Sequence, residues 1–527
     1  MRRLAIAALV ASVFAFGATG PVEAKTLRWA SQGDIMTMDP HAQNENLNNN
    51  ANSFVYEPLI SYDEKFQLVP ALATSWSRDG NLIWKFNLRK DVKFHDGTPF
   101  TADDVVFSIN RALAPTSNFK AYTSGIQGAK KVDAHTVLIY TDTPTPVLLN
   151  QLTEIRMMSK AWAEKNKVTK PQDFVQKEET FAVRNAMGTG PYKLKSREVD
   201  VKTVFVENPD WWGKAAKKGN VTEIVYTPIK SNATRTAALL SGELDFVLDP
   251  ATQDIDRLGK SADTKIVEGA ENRTIFLGLD QFRDETPYAD VKGKNPFKDV
   301  RVRKALYQAI DIEAIKRAVM RGSSSPTGTI IAPQVRGWSK EVDTRLKYDP
   351  EQAKKLLAEA GYPNGFAFTL DCPNNRYIND EAICKALASM WAKAGVKVNV
   401  NAMPRATYFA KIQKFDTSVY LLGWGVPTFD ALYSLQSLAK TVGKDGDGNF
   451  NLGRVSNAEY DKLVDGIKQE VDTSKRNAMI TQALKIHNDQ VMHIPLHNQV
   501  IPWAMRKNVN VVHRADNRLE ATWVTLK

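Results

Sequence analysis

Asp430 and Arg376 are the two charges in this sequence placed where a small molecule could meet them. Asp430 lies in the stretch 419–434, VYLLGWGVPTFDALYS. Val419, Tyr420, Leu421 and Leu422 read as a buried strand. Gly423-Trp424-Gly425 breaks it, and Pro427 marks a loop. A carboxylate between Phe429 and Tyr433 at such a strand end is costly unless a cation neutralises it. Asp430 is then either the N-cap of a helix over 431–435 or the receptor for a ligand ammonium, with Trp424 as an apolar wall. Arg376 lies in DCPNNRYIND (371–380), between the first strand of a predicted βαβ unit and its helix. Ligands of α/β folds gather at that strand end. A planar, permanent cation there suits a carboxylate. The alternative is a surface arginine or an ion pair with Asp380. Together the two charges would suit a zwitterion.

No catalytic apparatus is legible. The chain has no G-x-S-x-G elbow, no H-E-x-x-H helix and no Walker loop. His493 and His497 are four apart, but Pro495 between them opposes a helix, so they read as strand and turn polar residues. Asp445, Asp447 and Asn449 resemble half a calcium loop, but Phe450 stands where glycine is needed and Ser456 where the bidentate glutamate belongs. None of these patterns supports a catalytic or metal site, and no cofactor is expected; an exported hydrolase stays open as an alternative to a binding protein.

The elements that must position these residues alternate between strand and helix, which gives an α/β class. Strands are expected at 25–31, 82–88, 137–140, 223–228 and 244–247. A helix over 232–241 ends at Gly242. The helix from Thr101 has a capping pattern with Asp104. A long amphipathic helix is expected over 295–309, and another opens at Asp349-Pro350. The βαβ unit runs through 366–370, 380–393 and 396–400. A pair of strands, 493–496 and 501–504, closes the chain. Between Asn44 and Asn52 six of nine residues are asparagine, a composition expected on a turn-rich surface or lining a polar cavity.

Arg2 and Arg3, the apolar run 4–16 and the Val22-Glu23-Ala24 site form a secretory signal peptide. An exported protein of two to four domains is expected. The net charge of +11 comes from scattered Lys and Arg, so no nucleic-acid stripe is present. Cys372 and Cys384 are the two cysteines. In an oxidising compartment they either pair as a disulfide or stay as two buried thiols.

Several stretches together resemble a known family. They are Tyr56-Glu57-Pro58-Leu59, Val92–Phe100 (VKFHDGTPF), Thr101-Ala102-Asp103-Asp104-Val105, Gly188-Thr189-Gly190-Pro191-Tyr192, Asn208-Pro209-Asp210-Trp211-Trp212, Asp299-Val300-Arg301-Val302-Arg303 and the helix within 348–365. In this order they are similar to the extracellular solute-binding proteins of family 5, the dipeptide/oligopeptide type serving ABC importers. The resemblance implies a two-lobed periplasmic-binding-protein clamp with an extra domain. Domain I would take 25–60, 185–285 and 495–527, domain II 61–184, and domain III 286–494. It also implies that Asp430 holds a peptide amino terminus and Arg376 its carboxylate. Asn374, Asn375 and Tyr377 would line the same wall. The partners implied are a peptide or another small solute (an opine, oligosaccharide, nickel chelate or haem) and an inner-membrane permease with its ATPase subunits. The protein would act as a periplasmic monomer without nucleic acid.

Overall fold

The computed structural model describes residues 25–174, 176–443 and 446–527. The signal-peptide reading of 1–24 and the position of Asp445 lie outside them.

Two long strands, Thr264–Leu279 and Ile494–Arg506, pair antiparallel at the centre of an 11-stranded sheet. On one side of this pair follow Val419–Gly425, Ala367–Pro373 and Lys397–Met403; on the other follow Phe246–Val247, Thr26–Ser31, Glu223–Pro228, Lys202–Glu207 and Tyr192–Glu198; the eleventh, Ser324–Pro326, pairs with Ile494–Arg506 off this path. Each half has its own core. Trp29, Phe54, Tyr226 and Trp503 pack in the first lobe. In the second, Leu306, Leu370 and Trp391 fill one face of the sheet, and Phe276, Leu435 and Ile480 fill the other. A separate four-stranded sheet, Ala73–Arg78, Ile83–Leu88, Thr136–Thr141 and Ile126–Asp133, packs its own core against the helix Ala102–Leu113. That helix carries the expected capping box of Thr101 and Asp104. The architecture is a two-lobed α/β clamp.

Three local expectations are corrected, and the alternatives left open for the asparagine patch are decided, with Asn46 lining a cavity. The closing pair of strands is one continuous strand, Ile494–Arg506, in which Pro495 faces Phe276 and Pro502 faces Glu268. The helix expected over 295–309 is divided: Pro296–Lys298 is a single 3-10 turn, and Asp299 then caps Val300–Gln308 through Arg301 N–H. Gly423 and Gly425 do not break their strand, which runs Val419–Gly425 beside Arg273–Leu279. A Cβ on Gly423 would lie 2.6 Å from both Ile275 and Tyr377, so the glycine is where two neighbours cross the strand. The asparagine patch is a helix, Asn46–Val55, with Asn48, Asn49, Asn50 and Asn52 buried. Asn50 exchanges two hydrogen bonds of 2.9 Å with the Leu519 backbone, and Asn52 donates to Thr37 O. These side chains replace backbone pairing between segments far apart in the chain.

Three of the stretches that resemble the family meet at one buried acid. Trp211 Nε1 and Trp212 Nε1 each donate to the Glu57 carboxylate at 3.0 Å, and the Thr189 hydroxyl donates at 2.7 Å. Burial pushes the Glu57 carboxyl up to about 7, against the pull of the Trp212, Thr189 and Trp211 donors. The folded chain thus keeps a proton that the unfolded chain releases near 4.5. Stability from this group is greatest below that value and declines as pH rises toward 7. Glu57→Gln cannot ionise. Denaturant unfolding at about pH 5 and about pH 8 is expected to show a wild-type decline larger than the variant's by about 3 kcal/mol.

Candidate functional site

The parallel strands of both lobes end at one cleft. Thr26–Ser31 and Phe246–Val247 deliver Gln32 and Asp249 from the first lobe; Ala367–Pro373 and Lys397–Met403 deliver Asn374 and Arg405 from the second. Open α/β sheets bind ligands at this edge because the loops and helix starts there present unpaired backbone groups. The cavity between the walls measures about 490 Å³. Its floor is an irregularity in the central strand pair. The register breaks between Ala270 and Thr274, and the residues left out of the ladder put Glu271 and Arg273 into the cavity. A bulge re-aims side chains in this way.

Arg376 stands on the second-lobe wall with Asn374, Asn375 and Tyr377, all lining the cavity. Asp380 shapes this loop. Its Oδ2 accepts from the backbone N–H groups of Arg376 and Tyr377 at 2.9 and 3.0 Å, so it grips the backbone of Arg376. Burial raises the Asp380 carboxyl to about 6. Asn375 Oδ1 accepts from Arg405 N–H at 2.7 Å and joins the two arginine-bearing segments. The Tyr377 ring fills the space left by Gly423, and its hydroxyl donates to Gly423 O. Cys372 and Cys384 are bonded as a disulfide, with Cα atoms 6.7 Å apart, and tie the end of the strand before this loop to the helix after it.

Arg376 and Arg405 reach across the cleft toward Glu45, with Nη2 and Nη1 at 3.9 and 3.8 Å from Glu45 Oε1. Their guanidinium groups donate no hydrogen bond among the described residues. Burial opposes the Glu45 charge, but Arg376 and Arg405 outweigh it and hold the carboxyl below its ordinary value. Burial, with Arg273 beside it, lowers Arg376 from its ordinary value. A second link closes the cleft where Thr252 Oγ1 donates to Asn379 Oδ1 at 3.1 Å.

Asp430 is elsewhere. It is 2% exposed and forms a two-pronged ion pair with Arg476, both bonds 2.7 Å. Its Oδ1 also accepts Leu432 N–H, but the N-cap of the helical turn Leu432–Ser434 is Ala431, without a side-chain cap bond, and that turn runs on into Leu435–Ala439. The carboxylate is neutralised within the lobe and is not among the cavity residues, so the structure does not bring the expected ammonium receptor to the cleft with Arg376. Trp424 is likewise outside the cavity lining. Successive strand residues face opposite ways: Gly423 and Gly425 leave room for Tyr377 and Arg273, while Trp424 joins the opposite core. There it stacks on Tyr433 at 5.2 Å, and Tyr433 stacks at 5.7 Å on Tyr122, which belongs to the core of the separate four-stranded sheet. Tyr62 OH donates to Thr428 O along the same seam. Trp424 thus backs the contact between the second lobe and the domain of the four-stranded sheet.

Sequence reasoning missed Arg405, Glu45, Glu271, Arg273 and Asp249. Arg405 was within reach, because it follows the second parallel strand of the βαβ unit as Arg376 follows the first. Arg273 and Glu271 depend on a bulge that leaves no pattern. Among the described residues, no group of three or more His, Cys, Asp or Glu could hold a metal ion. No helix among them is long and apolar enough to cross a membrane.

The chain matches known proteins over most of its length. It is 29% identical over 475 residues to Heme-binding protein A of Haemophilus influenzae, covering 85% of this chain and 82% of that protein. The dipeptide binding protein from Pseudoalteromonas sp. SM9913, solved with Met-Leu, superposes with a TM-score of 0.82 at 23% identity, covering 95% of this chain and all of that one. AgaA from A. tumefaciens R10, solved with agropinic acid, superposes with a TM-score of 0.80 at 23% identity, covering 95% and 99%. The family profile described as bacterial extracellular solute-binding proteins, family 5 Middle, matches residues 67–446, well over half of the sequence. With the two-lobed fold and the charged cleft between its lobes, the chain belongs to the bacterial extracellular solute-binding proteins of family 5.

Proposed function

We propose that this protein captures a small carboxylate-bearing solute, a short peptide above all, between its lobes and delivers it to an inner-membrane ABC permease and its ATPase subunits. The observation that carries this reading is the pair Arg376 and Arg405. Two guanidinium groups on one wall, donating no hydrogen bond among the described residues, present a fork that a carboxylate completes. Glu45 holds them at ionic distance in the meantime. Asn374, Asn375 and Tyr377 would meet the body of the ligand on the same wall. A cavity of about 490 Å³ suits a di- or tripeptide. The protein works in the periplasm after losing its signal peptide, as a monomer, and releases its ligand unchanged. Ligand contacts to both walls would favour the closed clamp.

One observation favours a second ligand within the same class. Asp430 is consumed by Arg476, so the second lobe keeps no carboxylate for a free ammonium in the place the family resemblance implied. An opine acid such as the agropinic acid of AgaA would meet the two arginines equally well.

Native mass spectrometry of the mature protein purified from its own cells is expected to show one co-purified small carboxylic acid. Calorimetric titration of the emptied protein with di- and tripeptides, and with their C-terminal amides, then reads the arginine fork. Binding of the acids and not of the amides supports it; equal binding of both removes the carboxylate reading.

A further inference from the structure

The carboxylates around the cavity differ in how fully they are used. Glu271 accepts Arg273 Nε on one oxygen and Gln499 Nε2 on the other. Asp380 is filled by three backbone N–H groups. Glu45 caps its helix through Asn48 N–H and faces the two guanidiniums. Asp249 is different. Its Oδ2 accepts from the Ser31 hydroxyl and from Gln32 N–H, both at 3.1 Å, while Oδ1 is buried without a hydrogen bond. Arg235 approaches that oxygen to 3.5 Å through Nε, but Nε makes no hydrogen bond. Its Nη groups are engaged by the carbonyls of Ile229, Lys230 and Asp249 and by the Asn232 side chain. Arg235 is 2% exposed and held from four sides, so it neutralises part of the charge without filling the vacant acceptor. Oδ1 itself is covered, but the Asp249 side chain is 26% exposed and lines the cavity, so a turn of the carboxylate brings an oxygen to a donor there.

The place of Asp249 adds a second argument. It opens the loop whose Thr252 meets Asn379 across the cleft. Asn379 lies on the loop that carries Arg376, and all four residues line the cavity. The anionic wall and the cationic wall therefore face each other where the lobes touch.

We propose that Asp249 receives the ammonium group of a zwitterionic ligand whose carboxylate lies on Arg376 and Arg405. The inference rests on the carboxylate reading above and adds which residue reads the other end. Each charged end is then held by a different lobe, so the ligand itself ties the clamp shut. The ligand class is a short zwitterion with its charges separated by the width of the closed cleft, such as a di- or tripeptide.

The test is calorimetry on the mature protein with Ala-Ala, Met-Leu and Gly-Gly-Gly, each free, N-acetylated and C-amidated. N-acetylation is expected to weaken binding about 10- to 100-fold, and Asp249→Asn to weaken the free peptides as much. The variant should leave the weak N-acetylated forms unchanged. Asp249→Glu, which keeps the charge, is the second variant should the amide disturb folding, and the N-acetylation arm needs no variant at all. Peptides that bind equally well with and without N-acetylation overturn the Asp249 assignment. If C-amidation abolishes binding in that same series, the arginine fork survives and only Asp249 falls. If no peptide binds in any form, the peptide reading falls with it.

Discussion

Arg476→Met is expected to lower the unfolding free energy by about 3–5 kcal/mol, because it leaves the Asp430 carboxylate buried without its partner. Asp430 and Arg476 are 2% and 4% exposed, and the pair shares two bonds of 2.7 Å. Arg476 Nε also donates to Ile467 O, so the guanidinium fastens the helix Ala458–Gln469 to the turn that carries Asp430. Met keeps the bulk and removes the charge. Removing the charge from both, in Asp430→Asn with Arg476→Met, is expected to recover part of the loss, since the cost lies in an uncompensated charge. Urea unfolding measures all three variants. The folded fraction of each should bind ligand within about twofold of wild type, because neither residue lines the cavity. A variant that keeps its stability and loses its ligand would return Asp430 to the binding site.

Arg376→Ala and Arg405→Ala are each expected to weaken binding of a carboxylate ligand by about 2–4 kcal/mol, or about 30- to 1,000-fold in Kd. The loss is specific to the acid, and a C-amidated analogue should not respond. Arg376→Lys is expected to recover little, since an ammonium cannot form the two parallel bonds of a guanidinium fork. The empty protein should lose no stability on Arg376→Ala. Arg376 is pressed by burial and by Arg273, and its link to Glu45 is long at 3.9 Å. Titration calorimetry with thermal unfolding of the empty protein separates the two effects.

The local elements were legible wherever one short-range signal decided them. Gly242 ends the helix Asn232–Ser241 in a left-handed conformation, as a glycine after the last apolar position predicts. Asp349 and Pro350 open Pro350–Glu359 as the capping pattern requires. The βαβ unit was readable, and with it the loop that carries Arg376. Local signals fell short where tertiary neighbours override local preference. Pro495 and Pro502 lie inside a strand because Ile494–Arg506 is held by several partners in turn. Four asparagines are buried in a helix because distant backbone groups use their side chains. Asp430 invited a ligand on local chemistry, but the arginine that satisfies it is 46 residues away. The charges that do line the cavity come from six separate segments, and no window of sequence contains them together.

The break in register between Ala270 and Thr274 has a mechanical meaning. The strands that cross between the lobes are the joint of the clamp, and the residues released by the bulge, Glu271 and Arg273, belong to the chamber floor. Joint and floor are one piece of backbone. Any change of jaw angle must therefore reset the spacing between the floor charges and the two walls. A solute slightly too long would hold the jaws ajar and meet a differently tuned floor, so size selection would be read as an angle before it was read as a clash. Adaptation to a new solute would then be least disruptive in the rim loops 249–253, 374–379 and at 405, which can change while the pivot stays untouched.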